Sequence, residues 1–272
     1  MILVNWFHAQ PIQGEPSEGK SLDQHDPTEP RQSPHSPSSD YFYAGRELDL
    51  FSAAKNWKSY WAGILSPLIG KEVAEIGAGL GATLGYLCDG RQTRWLCLEP
   101  DRQMAGYLSR RLSEGALPSC CEIQCGVLSD LPPEQRFDTI LYIDVLEHIE
   151  DDRRELEEAA SRLRPGGRII VLSPAHSWLF SAFDKAVGHH RRYTIASLAD
   201  LTPNSMKVEK ALYLDSAGLL ASAANRFLLR SSMPTEKQIR FWDSVLVPIS
   251  RPLDRLLGFR LGKSVMVSWV TH

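Results

Sequence analysis

The chain has 272 residues and a formal charge of −3, enough for one α/β domain with a sizeable core and too near neutral to argue for a nucleic-acid partner. Its charge is uneven: residues 1–40 hold six acidic and two basic residues, leaving 27 of the 33 acidic and 28 of the 30 basic ones to the remainder. Five cysteines, Cys88, Cys97, Cys120, Cys121 and Cys125, form an odd set without a CxxC pair, which speaks against a disulfide framework or a four-ligand zinc site and for reduced core thiols.

The opening MILV has no basic flank and no long apolar run behind it, and no stretch reaches the ~18 apolar residues of a membrane span. The expectation is a soluble, cytoplasmic protein. Residues 1–40 contain six prolines and six serines, and such a composition cannot bury enough surface to offset the ordering of its backbone, so a disordered tail is predicted. His8, His25 and His35 have no fixed partners there. Residues 41–272 are expected to form a single domain. Phe51, Ala54, Trp57, Tyr60, Trp61 and Ile64 recur at spacings of three and four, the mark of an amphipathic helix.

That helix leads into VAEIGAGLGATL, residues 73–84, where an apolar run carrying Glu75 meets Gly77, Gly79 and Gly81. This reads as a strand turning into a helix near Gly81. Glycine admits positive φ and the close approach of a ligand, while a helix start turns unpaired N–H groups toward it. Taken alone, Gly77, Gly79 and Ala82 also fit the dinucleotide form G-x-G-x-x-G/A, so a nicotinamide or flavin site stays open at this point. After a stop at Gly90, Thr93–Leu98 is a predicted buried strand ending in Glu99, 22 residues past Gly77. A carboxylate there is placed to accept from both ribose hydroxyls of an adenosine cofactor. Asp101 is expected to cap a helix over Arg102–Leu112.

Cys121–Cys125 is a short strand candidate closing at Gly126, and Phe137–Ile143 a clearer one ending at Asp144. A helix is predicted over Asp151–Leu163, then a turn at Arg164-Pro165-Gly166-Gly167, then a buried strand over Arg168–Leu172. The alternation implies a parallel sheet wound on both faces, with ligands bound beyond the carboxyl ends of its strands. Glu75–Gly81, Glu99, Gly126–Leu128, Asp144 and Ser173–His176 would converge there.

The ordered set EIGAGLG, LEPD, FDTILYIDVLEHI and LRPGGRIIVLSP resembles the class I S-adenosylmethionine-dependent methyltransferases, especially their small-molecule branch, over Arg46 to about Thr194. The resemblance implies a three-layer α/β/α Rossmann-like fold with a seven-stranded, mostly parallel sheet of order 3-2-1-4-5-7-6, its last strand antiparallel. Lys207–Leu214 and Val265–Val270 would be strands six and seven. It also implies S-adenosylmethionine as cofactor, no metal, and methyl transfer to a small-molecule acceptor, O-methylation favoured over N-methylation, with S-adenosylhomocysteine as by-product. On this likeness Glu75, Gly77 and Gly79 meet the methionyl part, Glu99 the ribose, and Asp144 the transferred methyl. Ala78, Gly81, Pro100, Gly126, Val127 and Leu128 complete the cofactor pocket. Val127 stands where many relatives carry an acid for the adenine amine, leaving that contact to backbone groups, Ser129 or Asp130. Two other readings are an NAD(P)-dependent oxidoreductase and a non-catalytic cofactor-binding module that recruits a partner or a membrane.

Trp178–Thr194, WLFSAFDKAVGHHRRYT, resembles a loop region of one methyltransferase subgroup and suggests a lid over about residues 176–200. Its residues supply the candidate bases His176, His189 and His190, to which His148 is added. Arg191, Arg192 and Tyr193 are candidate contacts to an acceptor that is anionic or lipid-linked. An equal alternative is a scaffold in which Asp184 pairs with Arg191 or Arg192, Tyr193 packs beneath, and Thr194 caps a helix running to Leu201. The amphipathic stretch over about 217–260 carries an apolar stripe from Trp242 to Leu257 flanked by arginines. Packing against the last strand is favoured over contact with an anionic membrane surface.

Overall fold

The computed structural model describes residues 53–224 and 235–272; the expected tail at 1–40, the start of the amphipathic helix and residues 225–234 lie outside them. Helix α1 (Lys55–Leu65) buries Trp57, Tyr60, Trp61 and Leu65, the face that the threes-and-fours spacing selects. Strand β1 (Glu72–Ile76) follows. The helix predicted from Gly81 is a single turn, α2 (Leu84–Leu87). Gly81 lies at φ +71°, outside the right-handed helical region, so no helix can include it.

The remaining elements alternate as expected: β2 (Arg94–Glu99), α3 (Arg102–Ser113), β3 (Cys121–Cys125), β4 (Phe137–Ile143), α4 (Asp152–Ser161) and β5 (Leu163–Pro174). Helix α4 stops two residues short of the expected Leu163 because Leu163 already pairs with Phe137 in the sheet. The Arg164–Gly167 turn becomes an irregularity at the start of β5, with a register break opposite Phe137 and Thr139 and Gly166 at φ +75°. Two short helices, α5 (Ala182–Ala186) and α6 (Ile195–Ala199), precede β6 (Met206–Leu214). Then come α7 (Ser216–Ala224), α8 (Glu236–Phe241), one π-helical stretch at Trp242–Leu246, α9 (Val247–Leu256) and β7 (Ser264–Thr271).

The seven strands form one sheet of order β3-β2-β1-β4-β5-β7-β6, with β7 antiparallel to both neighbours. Alternate residues of each strand feed the two core layers. Val73, Trp95, Leu141 and Leu172 pack with Trp57, Trp61 and Leu65 of α1 on one face. Ala74, Leu96, Ile140, Tyr142 and Trp269 pack with Leu156 and Ala159 of α4 on the other. Cys97 and Cys121 are buried, as core thiols should be, whereas Cys125 is exposed.

The C-terminal helices dock on α1 through carboxylates. Asp254 accepts from Tyr60 Oη at 2.8 Å, from the Asp215 N–H at 2.7 Å and from the Ser216 N–H at 2.9 Å. Asp243 accepts from the Trp57 N–H at 2.9 Å. Ile239, Trp242 and Val247 are buried in the joint, and Phe241, Val245, Ile249 and Leu256 remain exposed. Only part of the apolar stripe therefore packs inward. Among the described residues, no helix is long and apolar enough to cross a membrane.

Replacing Asp254 by alanine would leave two buried backbone donors without acceptors, at about 1–3 kcal/mol each. The expected result is a loss of about 2–6 kcal/mol in urea unfolding, against a much smaller loss for Tyr60→Phe, which removes one hydroxyl donor.

Candidate active site

At the carboxyl end of β1 the chain makes three successive glycine turns, with Gly77 at φ +64°, Gly79 at φ +56° and Gly81 at φ +71°. A Cβ on Gly77 would lie 2.7 Å from Val145 Cγ2, so that glycine serves the packing of the loop against the segment after β4. Gly79 differs: it needs positive φ, yet no heavy atom lies within 4 Å of where its Cβ would be. The loop therefore offers bare backbone beside open space, a shape suited to a ligand that approaches the main chain.

Glu99, at the end of the neighbouring β2, fixes this loop from below. Its Oε2 accepts from the Gly79 N–H at 2.7 Å and its Oε1 from the Asp101 N–H at 2.9 Å. The side chain is fully buried, and burial raises its pKa to about 7 in spite of those two hydrogen bonds. Each oxygen keeps a lone pair, enough to accept a hydroxyl without releasing the loop. Asp101 instead caps α3, accepting from the N–H groups of Gln103 and Met104 at 2.8 and 3.0 Å. Asp101 is thus the helix cap, and Glu99 braces the loops after β1 and β2.

Glu75 is buried in the middle of the sheet edge, accepts from Trp95 Nε1 at 2.9 Å, and is likewise pushed up to about 7 by burial. At the end of β3, Gly126 takes φ +149°, and Asp130 Oδ2 accepts from the Val127 N–H at 2.9 Å. Asp130 therefore shapes this turn, and the exposed Val127 leaves the rim apolar. Asp144, at the end of β4, is buried at φ +53° and donates its N–H to the Leu172 carbonyl at 2.7 Å. Ala78, Pro100 and Leu128 belong to the same carboxyl edge of β1, β2 and β3. A cofactor with ribose hydroxyls fits this set, with Glu99 and the Gly77–Gly81 backbone as its holders.

The stretch 176–193 is clipped down onto that edge. The N–H of His176 reaches the Tyr193 carbonyl at 2.8 Å, and the N–H of Tyr193 reaches the Pro174 carbonyl at 3.0 Å. Inside the loop, the buried Asp184 accepts from Arg192 Nε at 2.7 Å, from Arg192 Nη2 at 3.0 Å and from His189 Nδ1 at 2.9 Å. Burial alone would raise its pKa, but these donors hold it well below the usual carboxylate range. Asp152, at the start of α4, gathers Arg191 Nη1 at 2.6 Å and Tyr193 Oη at 2.8 Å. Thr194 caps α6 through the Ser197 N–H at 3.0 Å, and that helix ends at Ala199 rather than Leu201.

The positions proposed as acceptor contacts are accordingly tied into scaffold: Arg192 to Asp184, and Arg191 and Tyr193 to Asp152. Of the candidate bases, His148 is enclosed, and burial lowers its pKa to about 3, so it is a weak proton acceptor. His176 lies between Tyr213 and Trp178, with Nε2 2.9 Å from the Gly262 carbonyl. His189 is buried against Asp184, and His190 is exposed. The sequence reading missed Asp152 and Ser173 as partners, since each lies far in sequence from the group it holds. Glu147 entered it only as a letter of the DVLEHI motif.

Two expectations follow from these carboxylates. Arg192→Ala would leave the enclosed Asp184 short of its guanidinium, a loss expected at about 3–5 kcal/mol in chemical denaturation, whereas His190→Ala should cost almost nothing. Glu75 is protonated more readily folded than unfolded. The stability this gives is full below the ordinary carboxylate value and falls as pH rises from that value to about 7. Glu75→Gln keeps an acceptor for Trp95, so it should raise the melting temperature of the ligand-free protein at pH 8 and leave it nearly unchanged at pH 4.5. Equal shifts at both pH values would contradict the assignment.

Comparison with known proteins agrees with this geometry. Residues 74–169, from β1 into β5, match a family model described as a methyltransferase domain. A tRNA U34 carboxymethyltransferase of Syntrophotalea carbinolica is 31% identical over 123 residues, covering 42% of this chain and 37% of that one. A ubiquinone biosynthesis O-methyltransferase of Bradyrhizobium sp. is 26% identical over 119 residues, covering 42% and 44%. The chain thus spans less than half the length of these curated relatives. Among solved structures, an S-adenosylmethionine dependent methyltransferase from Mesorhizobium loti shares the fold at a TM-score of 0.52 and 18% identity, over 81% of this chain and 99% of that one. With its sheet order, its glycine turn and this matched segment, the chain carries a methyltransferase domain of the class I, S-adenosylmethionine-dependent kind.

Proposed function

We propose that the protein transfers a methyl group from S-adenosylmethionine to a small-molecule acceptor, with oxygen favoured over nitrogen as the atom methylated. The observation that carries this reading is the pairing of Gly79, buried yet with unfilled space where a Cβ would sit, with Glu99, whose buried carboxylate holds the same loop and retains lone pairs for a ribose. The cofactor, when bound, supplies a methyl already activated on a sulfonium sulfur. The chain's own task is then to seat the acceptor in line, keep water out and take up a proton where the acceptor carries one.

The loop 176–193, fastened to the end of β5, supports an enclosed acceptor site. The near-neutral charge supports a small molecule over a polynucleotide, although one relative is named for a tRNA substrate. The relative named as an O-methyltransferase favours oxygen. Arg191 and Arg192 are held by Asp152 and Asp184, which favours an uncharged acceptor over an anionic one.

Calorimetry with S-adenosylhomocysteine and with NADH tests the cofactor. Glu99→Ala should weaken S-adenosylhomocysteine by about 1.5–3 kcal/mol, the scale of hydrogen bonds to a charged group, and NADH should not bind. Binding of NADH, or wild-type affinity in Glu99→Ala, would overturn the reading. Mass spectrometry of phenolic and amine acceptors incubated with S-adenosylmethionine then separates oxygen from nitrogen, by which panel gains a methyl.

A further inference from the structure

Glu147 and His148 lie on one tight turn after β4, Leu146–His148, and His189 comes down to them from the loop that closes over the sheet edge. The Glu147 and His189 side chains are without solvent exposure, and His148 is buried beside them. Glu147 Oε1 and His189 Nε2 have no hydrogen-bond partner, and the ring of His148 has only a loose approach to the Gly188 backbone. One nitrogen or oxygen from each residue lies within 4.8 Å of the other two, with Glu147 Oε1 and His189 Nε2 at 3.9 Å. The two imidazole rings meet edge to face with centroids 4.7 Å apart. Buried polar atoms normally find partners, and this group of orphans at one point asks for an occupant.

The protons around the cluster say what kind. Asp184 is an acceptor already holding two Arg192 N–H groups, so the hydrogen bond at 2.9 Å from His189 needs its proton on Nδ1. In the neutral ring, Nε2 then presents a lone pair. Glu147 Oε2 accepts from Ser173 Oγ at 2.9 Å, which leaves Oε1 as a second lone-pair atom. Neutral His148 adds a third through whichever nitrogen is unprotonated. With Glu147 ionised and the His148 proton on its outward nitrogen, three electron pairs converge, more than the two protons of one water molecule can meet. A cation satisfies all three.

We propose that Glu147, His148 and His189 bind a divalent first-row transition-metal ion. Two imidazoles and one carboxylate suit zinc, iron or nickel better than magnesium or calcium, which prefer oxygen. The supporting hydrogen bonds match what such ligands require: Asp184 on the far nitrogen of His189, and Ser173 on the second oxygen of Glu147. Tetrahedral bonds of about 2.0–2.1 Å place ligand atoms about 3.3 Å apart, so the side chains must close by about 1 Å around the ion. Three protein ligands leave a position for water or for an oxygen of the acceptor, whose proton an ion there would acidify. That last role rests on the methyl-transfer reading; the binding of the ion does not.

The test uses the full chain, stripped with a chelator and titrated with zinc chloride by calorimetry and with cobalt(II) by absorption, without cofactor or acceptor. One ion per chain is expected, with cobalt d–d bands and no thiolate-to-cobalt charge transfer. Glu147→Gln and His148→Gln should weaken zinc by more than the 10–100-fold typical of outer-shell changes, and Asp184→Asn by about that 10–100-fold. Parallel titration with S-adenosylhomocysteine shows whether each variant is folded and keeps failure of this site distinct from failure of the cofactor assignment. Wild-type zinc affinity in a folded Glu147→Gln would overturn the proposal. So would binding lost only in Cys121→Ser, which would place the ion on the cluster of Cys88, Cys120 and Cys121. Should Glu147→Gln not fold, the cobalt spectrum of the wild type decides, a thiolate band counting against the site.

Discussion

A single buried carboxylate sets the geometry of the cofactor end of this protein. Glu99 ties the Gly79 N–H to the Asp101 N–H, joining the loop after β1 to the loop after β2 across the middle of the sheet. Parallel strands leave their carboxyl ends without a common support, and the chain departs from β1 and β2 in successive turns that would otherwise be free to shift relative to each other. With both backbone donors on one carboxylate, the bare stretch at Gly79 is held at a fixed distance from an acceptor group. The arrangement carries a cost, since burial raises the pKa of Glu99 and of its neighbour Glu75 to about 7. A site that concentrates enclosed carboxylates in this way exchanges stability near neutral pH for directed acceptors.

The loop over residues 176–193 is organised on the same principle, with charged side chains in place of backbone donors. Asp184 gathers Arg192 and His189, and Asp152 gathers Arg191 and Tyr193, so both arginines of the HHRRY run are turned to carboxylates. Their work is to fold residues 176–193 down and to orient His189. The function of the run is therefore largely indirect: it aims one imidazole at Glu147 and His148, and the remaining residues keep it there. Paired buried charges contribute little net stability, and removing one partner is costly because it strands the other.

A third set of carboxylates holds the C-terminal helices to α1, through Asp254 and Asp243, and to one another, through Asp215. This joint buries Trp57 and Trp242 with ring centroids 5.9 Å apart and explains why the segment after β6 packs on the domain even though half of its apolar stripe stays exposed. The joint lies on the α1 face of the sheet, where residues distant in sequence complete the core begun by β1 and β4.

The sequence by itself determined the elements and the cofactor edge. Strand β4 follows from the alternation in FDTILYI. The position of Glu99 follows from a buried strand ending 22 residues past Gly77. The need for glycine at residues 77–81 follows from a turn that L side chains enter at a cost. Local pattern also separated Asp101, a cap two residues before its donors, from Glu99. The sheet order was readable only through the likeness of its motifs, because periodicity says that a strand exists and not which strand lies beside it. Tertiary structure alone decided the fate of the side chains in the HHRRY run and the meeting of Glu147 and His148 with His189. Forty-one residues and one whole strand separate His148 from His189, and partners brought together by chain return leave no periodic trace. Whether an arginine faces a ligand or a buried aspartate is settled by which carboxylates the fold brings within 3 Å of it, and that distance is a property of the packed core rather than of the local sequence.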